Sequence, residues 1–207
     1  MNSKTEMTKN QITKSIHKHF FLIILTGISF SANLFAQEKF EKESRIKQRD
    51  VPLKAFSFMD SLNFNTKIKW YKEEGLTRNT IEAKFKHNEA NCSIEFDTLG
   101  NIEDIETEVN WSDMELMISK PMTRQFIADC SKYRIVKVQK QYSGSENDLF
   151  SLLKTGIESE QLKVRYEIIV KCIEQRKASL FEYLFNENGL FLSKSKIIFK
   201  NSSHLEY

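Results

Sequence analysis

Proline, cysteine and histidine are scarce in this chain. Of its 207 residues, two are proline, three are cysteine and four are histidine. The longest apolar run, Phe20 to Phe30, has 11 residues, about half of the roughly 20 that a membrane-crossing helix needs. No CxxC pair occurs, and no histidine stands at metal-ligand spacing from Cys92, Cys130 or Cys172. Catalytic signatures are missing as well: there is no HExxH, no phosphate-cradling glycine loop and no serine-centred nucleophile elbow. Catalysis needs a base, a nucleophile or a metal held in mutual reach, and nothing here assembles one. The expectation is a non-enzymatic protein without cofactor or metal.

What is present begins with a processing signal. Lys4, Lys9, Lys14 and Lys18 precede the apolar run, and Ser31-Ala32-Asn33-Leu34-Phe35-Ala36 offers a small residue before Gln37. That order predicts a cleaved secretory signal over 1–36 and a periplasmic or secreted protein. The segment holds four of the 31 Lys and Arg and one of the 28 Asp and Glu, which leaves 27 of each sign. The mature chain is therefore balanced in charge. A nucleic-acid binder needs a basic surplus to answer phosphates, so that class is excluded.

Three cysteines permit one intramolecular disulfide and leave one thiol over. They read either as small buried hydrophobes on strands and a helix or as a Cys92–Cys172 bridge between the halves of the chain, which export would allow.

Residues 37–49 are charged, carry two large apolar side chains, and predict a disordered or loosely helical leader. Asp50 offers an N-cap and Pro52 a first turn to a helix running to about 62, with Val51, Ala55, Phe58, Met59 and Leu62 at helical spacing. The period then drops to two around Ile68/Trp70, Ile81/Ala83/Phe85, Cys92/Ile94/Phe96 and Ile105/Thr107/Val109, predicting four strands of an antiparallel sheet covered on one face.

The plan then repeats. Ser119 and Pro121 predict a second helix start; a start at Ser112 would bury Pro121 inside the helix at a cost of about 3 kcal/mol. Four more alternating runs follow, at 133–142, 162–172, 181–185 and 191–199. Two turns punctuate the repeat, Phe96-Asp97-Thr98-Leu99-Gly100 and Phe185-Asn186-Glu187-Asn188-Gly189, where Asx opens the turn and Gly closes it at positive φ. The prolines are 69 residues apart and the turns 89. The excess of 20 locates an insertion at 143–161, a loop or extra helix around the apolar island Leu149-Phe150-Ser151-Leu152-Leu153. The expected fold is α+β, a tandem duplication of an α-β-β-β-β unit over 50–110 and 111–207, with an antiparallel sheet and helices packed on one face.

On Val51-Pro52, Ile68-Lys69-Trp70, Ile81-Glu82-Ala83-Lys84-Phe85 and the two Asx-Gly turns, the chain resembles the PepSY-like exported proteins of Bacteroidetes-type bacteria, which are built like the β-lactamase-inhibitor protein. The likeness covers about residues 50–200; the insertion, the three cysteines and the looser second half depart from it. It implies a two-repeat sheet with helices on one face and protein or peptide binding, with enzyme inhibition as one outcome of the architecture. It implies no catalytic residue.

Candidate partner-binding residues follow from exposure. Trp70 is in phase with Ile68 and reads as core, whereas Tyr71 is out of phase and reads as exposed. Leu149, Phe150, Leu152 and Leu153 either fold back or dock a partner. Glu103, Asp104, Glu106 and Glu108 lack EF-hand-like spacing and read as a solvated sheet face; His87 reads as a hairpin-tip surface residue. The expected partner is a protein or peptide, met through the polar sheet face and the insertion. The alternative is a small apolar ligand carried between helices and sheet.

Overall fold

The computed structural model of the protein describes residues 37–75 and 77–199, with side chains for 42–75 and 77–198. The expected signal peptide lies outside the described residues. The four strands of the first half are β2 (Lys69–Glu74), β3 (Asn79–His87), β4 (Ala90–Phe96) and β5 (Ile102–Glu108). Those of the second are β6 (Lys132–Ser143), β7 (Lys163–Glu174), β8 (Lys177–Asn186) and β9 (Phe191–Phe199). They pair antiparallel in chain order, and β5 joins β6 from Ile105 opposite Tyr142 to Glu108 opposite Gln139, so one sheet spans both halves. The β3–β4 and β7–β8 connections are two-residue turns with both residues at positive φ, Asn88-Glu89 and Gln175-Arg176, the conformation that matches strand twist.

The leader corrects the expectation of disorder, because it forms β1 (Gln37–Ile46). Its second half pairs antiparallel with β2, from Lys42 opposite Glu74 to Ile46 opposite Trp70. Its first half runs parallel to β9, from Gln37 opposite Ser195 to Glu41 opposite Phe199. The nine strands thereby close into a barrel. An open sheet would leave unpaired N–H and C=O groups along β2 and β9. A strand that pairs with both edges satisfies them through backbone alone, so low apolar content is no obstacle.

Among the described residues the α-helices are α1 (Leu53–Ser61), α2 (Leu116–Asp129) and α3 (Glu146–Thr155). Pro52, rather than Asp50, holds the N-cap position of α1, and Asp50 sits in a short 3-10 turn. The expected start of α2 near Ser119 is also corrected, since α2 begins at Leu116 and contains Pro121. Pro121 is its sixth residue, so the bond forgone is the one to the Met117 carbonyl. Met117 is 81 % exposed, where water can serve that acceptor.

Burial falls into two clusters that follow the halves of the chain. Ala55, Phe58 and Met59 of α1 pack with Trp70, Ile81, Ala83, Phe85, Ile94 and Phe96 of the sheet. Met122 and Phe126 of α2 pack with Ile168, Val170, Tyr183 and Phe185. The inserted α3 crosses between halves: it belongs to the second by sequence, yet Leu149 and Leu153 pack in the first cluster. The Phe58 and Phe150 rings meet edge-on at 5.9 Å, and the Lys154 ammonium donates to the Leu62 carbonyl at 2.6 Å.

The Cys92–Cys172 bridge is absent. Cys172 is bonded to Cys130, while Cys92 is free and buried. Cys92 belongs to the first cluster and Cys172 to the second, whereas Cys130, at the end of α2, has its Cα 5.4 Å from that of Cys172.

Both Asx-Gly turns form as read. Asp97 Oδ1 accepts from the Leu99 and Asn101 amides, and Asn186 Oδ1 from the Asn188 and Leu190 amides. Gly100 and Gly189 have φ of 87° and 74°. Each glycine is also pressed onto a helix start. A methyl at Gly100 would sit 2.7 Å from the Ala55 nitrogen, and one at Gly189 would overlap the Ile118 carbonyl oxygen. Gly189→Ala is expected to cost about 1–3 kcal/mol from backbone conformation, with the shift of α2 added, read from the midpoint of urea unfolding. An unchanged midpoint would show that turn and helix separate freely.

Candidate functional site

The face of the sheet turned away from the apolar clusters is polar on strand after strand. Thr80, Glu82 and Lys84 of β3 alternate with Ile81, Ala83 and Phe85; Ser93 and Glu95 of β4 alternate with Cys92, Ile94 and Phe96. Across the barrel, Gln139 and Gln141 of β6 alternate with Val138 and Tyr142, and Arg165 and Glu167 of β7 with Tyr166 and Ile168. Closure turns this face inward, and residues from all nine strands line a cavity of about 960 Å³. Small barrels ordinarily fill the interior with apolar side chains. Here the helices supply apolar contacts outside, and the interior is left to charge.

Eight carboxylates and four cations line the cavity, an acidic surplus. Two of the cations are held locally, whereas Arg165 Nε is buried without a hydrogen-bond partner. Arg78 bonds both carboxylate oxygens of Glu103 and lies 3.5 Å from Glu95. Lys84 pairs with Glu82 at 3.0 Å and with Glu43 of β1. Burial alone would lower the Lys84 ammonium, but Glu82 and Glu43 hold it above the usual lysine range. On β5, Glu106 accepts from the Gln139 amide and from Ser93 Oγ, and Gln141 donates to Asp104 Oδ2 at 3.2 Å.

Asp104 is the exceptional group. It is buried, its Oδ1 has no hydrogen-bond partner, and burial followed by Glu95, Glu106 and Glu103 pushes its carboxyl up to about 8. The sign of its effect on stability follows. In the folded chain the proton stays on to about 8, whereas in the unfolded chain it leaves near 3.8, so stability falls as pH rises across that window. Asp104→Asn is expected to flatten the decline by on the order of a few kcal/mol. Urea unfolding at pH 5 and pH 8 measures it; a variant that keeps the wild-type slope would assign the titration to another group.

The acidic run on β5, expected to be solvated, is thus partly enclosed: Asp104 and Glu106 point into the cavity. The candidate residues do not come together. Tyr71 alternates with buried Trp70 and so lies on the cavity side, with the Lys84 ammonium 5.0 Å from its ring centre. Leu149 and Leu153 are 0 % and 6 % exposed in the first cluster, and Phe150 and Leu152 pack against it. Of the two readings of the island, folding back is the one observed. The sequence reading missed Arg78, Asp104, Gln139, Gln141 and Arg165 as one constellation. Their common phase on successive strands was visible; the closure that makes them neighbours was not.

The space between helices and sheet holds interlocked rings, among them Phe58 against Phe96 at 5.9 Å and Phe126 against Tyr183 at 5.1 Å. The large cavity lies on the opposite, polar side of the sheet. His87 stacks on Phe64 at 4.3 Å beside the β3–β4 turn. Among the described residues, no three His, Cys, Asp or Glu side chains converge to hold a metal ion, and no helix is long and apolar enough to cross a membrane.

No family model matches the chain, and no curated protein does. Solved structures similar to it come from Bacteroides. A BLIP-like protein of Bacteroides fragilis NCTC 9343 is 15% identical, with 74% of this chain and 92% of that one covered at a TM-score of 0.46. A DUF2874 family protein of Bacteroides ovatus ATCC 8483 is 11% identical over 70% of this chain and 87% of that one, TM-score 0.47. A second DUF2874 family protein, from Bacteroides uniformis ATCC 8492, is 11% identical over 70% and 89%, TM-score 0.46.

Proposed function

We propose that the chain is an exported, non-enzymatic binding module that engages a protein or peptide through the charged side of its sheet. The observation that carries this reading is the cavity of about 960 Å³ lined by charged and amide side chains from all nine strands. Its volume is within the range of ligand sites, and convergent polar groups are what fix a ligand's orientation. Export is supported by the signal-like 1–36 segment and by the Cys130–Cys172 bridge, a bond that persists in oxidising compartments, so the place of action is periplasmic or secreted. Tandem duplication of the α-β-β-β-β unit is part of the same reading. It is supported by the two core clusters and by the glycines that close equivalent turns against equivalent helix starts. Such a module would act by occupancy, as an inhibitor or a regulator.

A peptide array spanning acidic, basic, neutral and apolar sequences tests the reading, with hits titrated at low and high salt. Saturable binding of one charge class, weakened by salt, is expected. Equal retention of all classes, or of none, would overturn it.

A further inference from the structure

Inside the barrel one carboxylate oxygen is answered by nothing. Asp104 is 9 % exposed and lines the cavity; its Oδ2 accepts from the Gln141 amide at 3.2 Å, and its Oδ1 is buried without a partner. A buried acceptor without a donor is costly and marks a place where something is missing from the count. The acidic surplus of the lining gives the missing donor a sign. Resting on the binding-module reading, we infer that Asp104 is the socket for an alkylammonium group entering the barrel, carried either by a free polyamine or by a lysine side chain of a peptide.

The chemistry selects this group over other cations. A metal ion needs several ligating side chains, and among the described residues no three converge. A guanidinium prefers both oxygens of a carboxylate in one plane, but Gln141 already occupies Oδ2. An ammonium is a compact charge with three donors. It can take the one unpartnered oxygen of Asp104, once the carboxyl turns it toward the cavity, and spend its other protons on neighbouring acceptors.

The groups that act on Asp104 are Glu95 from β4, Glu103 and Glu106 on its own strand, Gln141 from β6 and Arg78 from the β2–β3 connection. Burial first, and then the three acids among the four ionisable ones, keep the proton on Asp104 near neutrality, and an arriving ammonium must displace it. Binding therefore releases a proton and strengthens as pH rises.

Calorimetric titration tests this with two probes, spermidine and the blocked peptide acetyl-Gly-Lys-Gly-amide, at pH 6 and pH 8. An ammonium stays protonated at both. The wild type is expected to bind at least one probe, about tenfold or more tightly at pH 8 than at pH 6, because the Asp104 carboxyl is pushed up to about 8. Asp104→Asn is expected to lose about tenfold or more at pH 8 and to lose the pH dependence. That variant should be no less stable than wild type at pH 8, and near-UV circular dichroism verifies its fold. Spermidine binding alone identifies a free amine as the source; peptide binding alone identifies a lysine side chain. Equal binding by wild type and variant overturns the socket. So does silence toward both probes while the peptide array still finds a partner, an outcome that leaves the binding module standing. Silence in both experiments removes both.

Discussion

Leu149→Ala is expected to destabilise the protein by about 2–5 kcal/mol, the range for emptying a fully buried leucine site. Leu149 is 0 % exposed and sits in the first core cluster, although its helix is inserted in the second half of the chain. Around it, α3 is tied to α1 by the Phe58–Phe150 edge contact, by Lys154 on the Leu62 carbonyl and by a Lys54–Glu146 pair at 3.1 Å. For a domain of this size each kcal/mol moves Tm by roughly 2–4 °C, so scanning calorimetry should show a fall on the order of 10 °C. Ile157, 72 % exposed just beyond α3, supplies the contrast. Ile157→Ala is expected to stay within about 0.5 kcal/mol. If the two variants melt together, α3 is not part of the core. A fall confined to Leu149→Ala makes the insertion a clamp between halves, whose removal should lower stability before it touches any binding.

Opening the Cys130–Cys172 bridge is the second large effect. The bond spans 42 residues of sequence, and loop-closure entropy for that span is worth about 4 kcal/mol in the unfolded chain. The double variant Cys130→Ser with Cys172→Ser is expected to melt roughly 8–16 °C below wild type. Reduction with thiol reagent should do the same. Cys92 should remain unlabelled in the native protein under either condition, since it is buried and burial raises its thiol above the usual range. A melt unchanged after reduction, with two thiols verified by mass, would place the bond's contribution near zero. The bridge closes the end of α2 against β7, beside Tyr183, whose hydroxyl donates to Asp129 at 3.0 Å.

The strands were legible because each carries its own signal: Ile81, Ala83 and Phe85 alternate with Thr80, Glu82 and Lys84 whatever lies beyond them. The turns were legible because Asp97, Asn186 and the two glycines act within five residues. Three features escaped, and each depends on a partner distant in sequence. Pro121 weighed against an early start of α2, yet the acceptor it leaves open faces solvent at Met117. Cys172 found Cys130 through the docking of α2 on β7, which spacing does not encode. The β1 segment has only Phe40 and Ile46 as large apolar residues, and it orders by backbone pairing with two strands. The candidate site shared that fate. Without closure, Asp104 and Glu106 are two acids on a wet face; with it, they belong to an interior.

The pairing of β1 with β9 also sets an order in time. A chain that emerges N terminus first presents Gln37–Ile46 before the other strands of the barrel, but the strand beside its first half, Phe191–Phe199, is the last of the nine to appear. Contacts of such long sequence separation form slowly, so the seam must close after both halves have their cores. Until then the first half of β1 and the edge of β9 stay open to other chains, and a chaperone that shields them should raise the yield of closed barrel more than one that acts on the helices.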